Sequence, residues 1–132
     1  HNPISNMKLA SGAAPVVEML KAGIAVGLGT DGEKENNNLD MFEEMKTASL
    51  LAKFVKLDAA TLDAWDVCKM ATINGAKALG LAQTTGSLEV GKSADMISIN
   101  LNTPRMTPLI ASGPLMNIHQ DLKQIQRRDN YF

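Results

Sequence analysis

At 132 residues, with 45% apolar and only 4% aromatic side chains, the chain has material for one domain or part of a larger one, and its composition argues against global disorder. Thirteen basic against fourteen acidic residues leave a net charge of -1, which argues against a nucleic-acid or anionic-membrane partner found by electrostatic steering. One cysteine, Cys68, allows neither an internal disulfide framework nor a cysteine-based zinc site, and no apolar run or signal-peptide pattern marks a membrane or secreted protein, so a soluble, cytoplasmic protein is the expectation.

The chain opens on His1-Asn2-Pro3-Ile4-Ser5-Asn6, a combination that reads as a polar turn because Pro3 restricts Asn2 to extended geometry. Domains seldom begin in such loop chemistry, and the expectation is that sequence lies upstream. A helix of about two turns follows from Pro15, which suits a first-turn position; Val16, Met19 and Leu20 share a face and Gly23 ends it. Ile24 to Leu28 is a continuous apolar run and reads as a buried strand. A helix, a glycine stop and an apolar strand make the αβ half of a βαβ unit with a parallel sheet, so the fold class read here is α/β.

The strand runs out in glycines and presents Asp31 at its C-terminal tip, where parallel strands open into the cleft of an α/β fold. A polar loop, Gly32 to Asn38, leads to a strong helix from about Leu39 to Lys56, capped by Asn38. Its apolar face is Phe42, Met45, Ala48, Ser49, Ala52 and Val55, and the Glu43/Glu44 pair reads as solvated. A second helical segment follows Asp63 with Val67, Met70 and Ala71 as a stripe, and a third, Asn74 to Leu79, ends at Gly80. Gly86 to Asp95 is a turn-rich connector, Met96 to Asn100 alternates like a half-buried strand, and the tail from Pro104 holds three prolines and a charged end, Gln120 to Arg128.

Gly27-Leu-Gly-Thr-Asp-Gly32 formally matches a dinucleotide fingerprint, but the glycines run into Glu33, Glu35 and three asparagines, and Asp31 would set a negative charge beside the phosphates. That reading is set aside. For Asp31 two readings stand on spacing alone: a metal-binding or proton-accepting carboxylate, or a turn cap. His1 reads as a loop histidine, His119 as an uninformative tail residue and Cys68 as core.

Three segments in order carry a resemblance: His1-Asn-Pro-Ile-Ser-Asn-Met-Lys-Leu-Ala-Ser-Gly12; Gly27-Leu-Gly-Thr-Asp-Gly32 with Asn37-Asn38-Leu39-Asp40; and Gly86-Ser-Leu-Glu-Val-Gly-Lys-Ser-Ala-Asp95. Together they resemble the C-terminal part of an amidohydrolase-superfamily enzyme, in the chlorohydrolase and aminohydrolase group that includes S-adenosylhomocysteine/methylthioadenosine deaminases. The resemblance implies the C-terminal portion of a (β/α)8 TIM-like barrel with part of a small β-sandwich. Residues 1–82 would be barrel, 83–110 the return segment into the sandwich and 111–132 a divergent tail. It makes Ile24 to Leu28 the eighth strand and Asp31 both metal ligand and general base, with Ser5 and Asn6 shaping the substrate pocket.

The activity it implies is hydrolysis of C–N bonds other than peptide bonds, through a metal-activated water that deaminates an aminopurine-type compound. The cofactor is a divalent metal, zinc ahead of iron, and its remaining ligands belong to strands not in this chain. The isolated chain is therefore expected to be inactive. The partner is a small amino-heterocycle, with no nucleic acid and no membrane; a homo-oligomer is an arrangement of the full-length enzyme that the sequence leaves open. The other reading is a truncated, non-catalytic remnant acting as a binding or assembly module.

Overall fold

A computed structural model of the chain describes residues 1–100, in which six helices are the regular elements. They are α1 (Pro3–Lys8), α2 (Val16–Lys21), α3 (Glu33–Asn36), α4 (Met41–Lys56), α5 (Ala64–Ala71) and α6 (Ile73–Ala78). The chain divides into two units, His1–Met96 and Ile97–Phe132. The first holds all six helices; of the second, only residues 97–100 are described.

The opening segment, expected as a loop, forms α1. Pro3 takes the first helical position, where its missing N–H costs nothing, and the Asn2 carbonyl accepts the Asn6 N–H at 2.9 Å. α2 ends as its sequence promised. Gly23 adopts φ +78, its N–H donates to the Leu20 carbonyl, and the Ile24 N–H donates to the Met19 carbonyl at 2.9 Å, a paired closure that satisfies two orphan carbonyls.

Ile24 to Leu28, expected as a strand, carries no strand in the structure. A strand exists by lateral pairing, and here the pairing is one residue long. The His1 nitrogen donates to the Gly27 carbonyl at 2.8 Å and the His1 carbonyl accepts the Gly29 N–H at 3.0 Å, the alternation of a parallel pair. It stops because Pro3 has no N–H and already begins α1. On the other side the Leu28 N–H donates to the Met70 carbonyl at 3.1 Å, so the run is pinned between the chain's first residue and α5. Met96 to Asn100 likewise carries no strand. The barrel and sandwich therefore do not appear as sheets among the described residues.

α4 (Met41–Lys56) is the long element, and it starts two residues later than expected. Asp40, not Asn38, is its N-cap: Asp40 Oδ1 accepts the Phe42 N–H at 2.8 Å and the Glu43 N–H at 3.4 Å. Asn38 instead folds its own turn, accepting the Asp40 N–H at 3.2 Å. α4 packs on α1 and α5, and α5 packs on α6. Met45, Ala48, Val67, Met70 and Ala76 form the core with Val16, Val26 and Leu62. Ser49, fully buried, donates to the Leu62 carbonyl at 2.7 Å and ties α4 to the turn before α5. Asp63 caps α5 through the Asp66 N–H at 2.9 Å. Phe54, Leu57, Trp65 and Leu79 stay exposed.

Gly27 sits where the extended run crosses α6. A Cβ there would lie 2.9 Å from the Gly75 Cα, so glycine at 27 lets backbone meet backbone. Beyond α6, Gly86 (φ +92) turns against the same helix, and the connector expected from Gly86 to Asp95 is indeed turn-rich.

Candidate functional site

Asp31 lies just past the pinned run, and its backbone is left-handed, φ +61. One carboxylate oxygen, Oδ1, accepts the Gly32 N–H at 2.9 Å. The other, Oδ2, accepts the Ser5 hydroxyl proton at 2.7 Å. The turn-cap reading is seen directly in the Gly32 contact, and the same side chain also accepts from a residue 26 positions away. Asp31 is exposed while Ser5 is 1% exposed, so a rigid donor from the interior aims a carboxylate at solvent. Each carboxylate oxygen keeps a second lone pair for a proton or a cation.

Asn6, beside Ser5 on α1, is half-buried, with its N–H on Asn2 and its carbonyl accepting the Ser11 N–H at 2.9 Å. Asn2 fastens the same corner: its side-chain amide, turned with the nitrogen inward, donates to the carbonyls of Gly29 (3.0 Å) and His1 (3.2 Å).

Sequence reasoning missed Glu44. Expected on a solvated face, it is 0% exposed. Oε2 accepts the Ile4 N–H at 3.3 Å, and Oε1 accepts a proton from the Asn36 side-chain amide. Asn36 Oδ1 in turn accepts the Leu39 N–H at 3.1 Å. Burial pushes the Glu44 carboxyl above the usual glutamate range, against the two hydrogen bonds that favour its charged form. The Asn-x-x-Leu-Asp run ahead of an acidic first turn was the available signal, but nothing in it distinguishes Glu44 from Glu43.

The other candidates are not among the partners of the Asp31 carboxylate described above. His1 is half-buried, and its Nδ1 has no hydrogen-bond partner among the described residues. Cys68 is half-buried too, and burial pushes its thiol up. His119 lies outside the described residues. Among the described residues no three His, Cys, Asp or Glu side chains converge as a metal site would need, and the Asp31 carboxylate has the donor chemistry for one position. A cavity of about 110 Å³ between α2 and α4, lined by His1, Val16, Ala48 and Ala52, does not include Asp31. The segment after the glycines is the four-residue α3, opening on Glu33 and Glu35, which offers a nucleotide phosphate no cradle. No helix among the described residues is long and apolar enough to cross a membrane.

Comparison with known proteins places these features in context. The amidohydrolase family model matches residues 1–126. The 5'-deoxyadenosine deaminase of Methanosarcina mazei is 58% identical over 108 residues, covering 82% of this chain and 24% of that protein. The 5-methylthioadenosine/S-adenosylhomocysteine deaminase of Desulforudis audaxviator is 56% identical over 108 residues, covering 82% and 25%. Among solved structures, an adenosine deaminase from Xanthomonas campestris with bound zinc superposes with a TM-score of 0.84 at 44% identity, covering 89% of this chain and 26% of that one. Escherichia coli guanine deaminase gives 0.77 at 25% identity, covering 91% and 28%. The chain spans about a quarter of the length of the curated relatives it matches.

Proposed function

The chain belongs to the amidohydrolase family, and from that premise we propose that its 132 residues form part of a metal-dependent hydrolase of non-peptide C–N bonds that deaminates an aminopurine-type compound. The observation that carries this reading is Asp31: a carboxylate at the end of a glycine-flanked extended run, aimed by a buried serine, in a chain similar throughout 108 residues to adenosine-type deaminases. The single parallel pair between His1 and the Gly27–Gly29 run supports the further proposal that this run takes a strand position in a (β/α)8 barrel.

In such a reaction, water adds to the ring carbon that bears the amino group. Asp31 accepts the proton the water gives up and passes it to the departing nitrogen. The C–N bond breaks, ammonia leaves, and the second proton of the water moves to the adjacent ring nitrogen as the carbonyl forms. Ser5 holds Oδ2 by its hydroxyl proton and so fixes the plane of the carboxylate for that transfer.

A bound divalent metal would lower the pKa of its water to about 7. Asp31 fits as one of its ligands, and the zinc in the Xanthomonas campestris structure supports zinc ahead of iron. The described residues do not supply two further ligands, so the chain by itself is expected not to turn over substrate.

The test is complementation. The purified chain is assayed for ammonia release from 5'-deoxyadenosine, alone and mixed with a separate polypeptide carrying the remaining part of the Methanosarcina mazei deaminase. Release is expected only in the mixture and is expected to vanish with Asp31→Asn. Equal release from wild type and Asp31→Asn would overturn the assignment, and no release from any mixture would favour the non-catalytic reading.

A further inference from the structure

The site described so far uses α1 through Ser5 and the 31–40 loop through Asp31, but these two segments are 26 residues apart in sequence and meet only in the fold. What holds them in register lies behind the pair. Glu44 accepts the Ile4 N–H, one residue before Ser5, and the Asn36 side-chain amide, from the helix that follows Asp31. Asn36 then accepts the Leu39 N–H and closes the loop's far end. Glu44 is fully buried, on the long helix against which α1 packs, and the chemistry assigned to Asp31 does not employ it. A second tie, Lys8 Nζ to the Lys34 carbonyl at 2.6 Å, is exposed and open to competition from water.

We infer that Glu44 is a positioning residue for the carboxylate site: one buried side chain tethers α1 and the 31–40 loop together and thereby fixes the Ser5–Asp31 hydrogen bond. The inference rests on the reading of Asp31 as the site's carboxylate. A buried acid is a demanding choice for mere packing, because a glutamate deprived of water needs donors for both oxygens. Here the donors come one from each segment that must be aligned. Glutamine keeps the shape but presents an NH2 group to a donor, so Glu44→Gln opens one side of the tether without leaving a cavity.

The experiment reads the carboxyl carbon of Asp31 by 13C NMR in the aspartate-labelled 132-residue chain at pH 7, the resonance being assigned by Asp31→Asn. Ser5→Ala removes the donor directly and sets the shift expected for a lost contact. Glu44→Gln is expected to move the resonance the same way, and Ser5→Ala/Glu44→Gln no further than Ser5→Ala alone, because both act on one contact. Ser49→Ala is the matched control: it too is fully buried on α4 and hydrogen-bonded, but to Leu62. It is expected to lower the melting temperature and leave the Asp31 resonance in place. Should Glu44→Gln fail to fold, Asn36→Ala cuts the same tether from the loop end and decides the question. A Glu44→Gln protein that melts lower with the Asp31 signal unmoved, or shifts that add in the double variant, would overturn the inference. No metal or substrate is present in the measurement, so it can fail while the deaminase reading stands, and the reverse.

Discussion

Replacing Gly27 by alanine tests the joint on which the Asp31 run is mounted. The new Cβ would sit 2.9 Å from the Gly75 Cα, and the next contacts are also backbone, Gly75 N at 3.6 Å and the Met70 carbonyl at 3.8 Å. Carbon atoms rest at about 3.5–4.0 Å, so the run and α6 must separate by roughly 0.6–1.1 Å. No flexible side chain is there to give way. Overpacking of this kind costs about 1–3 kcal/mol, and a shift of that size also strains the Leu28 N–H to Met70 bond. About 2 kcal/mol, read as a fall of roughly 8–16 °C in melting temperature for a domain near this size, is the expected loss. Gly75→Ala supplies the contrast. Its Cβ meets only the Met70 carbonyl, at 3.4 Å, and alanine in a helix gains about 1 kcal/mol over glycine. That variant should melt at or above wild type in the same calorimetric series. A Gly27→Ala protein within about 0.5 kcal/mol of wild type would refute the close approach and with it the mounting described here.

Gly86→Ala combines a clash, 2.7 Å to the Ala76 Cβ and 2.9 Å to the Ile73 Cα, with a φ of +92, and should cost about 2–4 kcal/mol by urea denaturation. Stability should vary with pH through Glu44. The folded carboxyl holds its proton more tightly than an unfolded glutamate, whose ordinary value is 4.5, so its contribution is fully present below pH 4.5 and is lost as pH rises through the raised value. Urea midpoints should therefore decline over that interval in wild type and lose that decline in Glu44→Gln. Cys68, its thiol pushed up by burial, should react with iodoacetamide at pH 7.5 several-fold more slowly than a free thiol, and urea should abolish the difference.

Where structure is set by neighbours in sequence, it was readable. Asp63, Gly23 and Gly80 mark helix ends by their own chemistry, and spacing picks out Val67 and Met70 on α5 and Met45, Ala48 and Ser49 on α4, though Val55 of the expected α4 face is exposed. α1 was hidden because Asn, Ser and Pro favour turns, although Pro3 equally suits the first helical position. The strand expected at Ile24 to Leu28 does not appear for a different reason: extension is local, but a ladder needs partners, and among the described residues only His1 pairs with the run in the parallel sense. At the site, Asp31 stood out by its place after the apolar run. Its hydrogen bond from Ser5, 26 residues away, was not legible in the sequence, where the resemblance gave Ser5 only a place in the substrate pocket. Glu44 was misread because its partners, Ile4 and Asn36, lie 40 and 8 residues away, and two adjacent acids on a helix look alike until one is buried.

The stretch from Asp31 to Leu39 turns left-handed at three non-glycine residues, Asp31 (φ +61), Asn37 (φ +81) and Leu39 (φ +54). Each such turn costs about 1–3 kcal/mol, least for the aspartate and asparagine and most for the leucine. A segment bent this way is off its own conformational minimum and keeps its shape as an arch does, from what bears on its two feet. Freed of either support it should open locally while the helices remain intact, with the amides of Gly32 through Leu39 exchanging their hydrogens well before global melting.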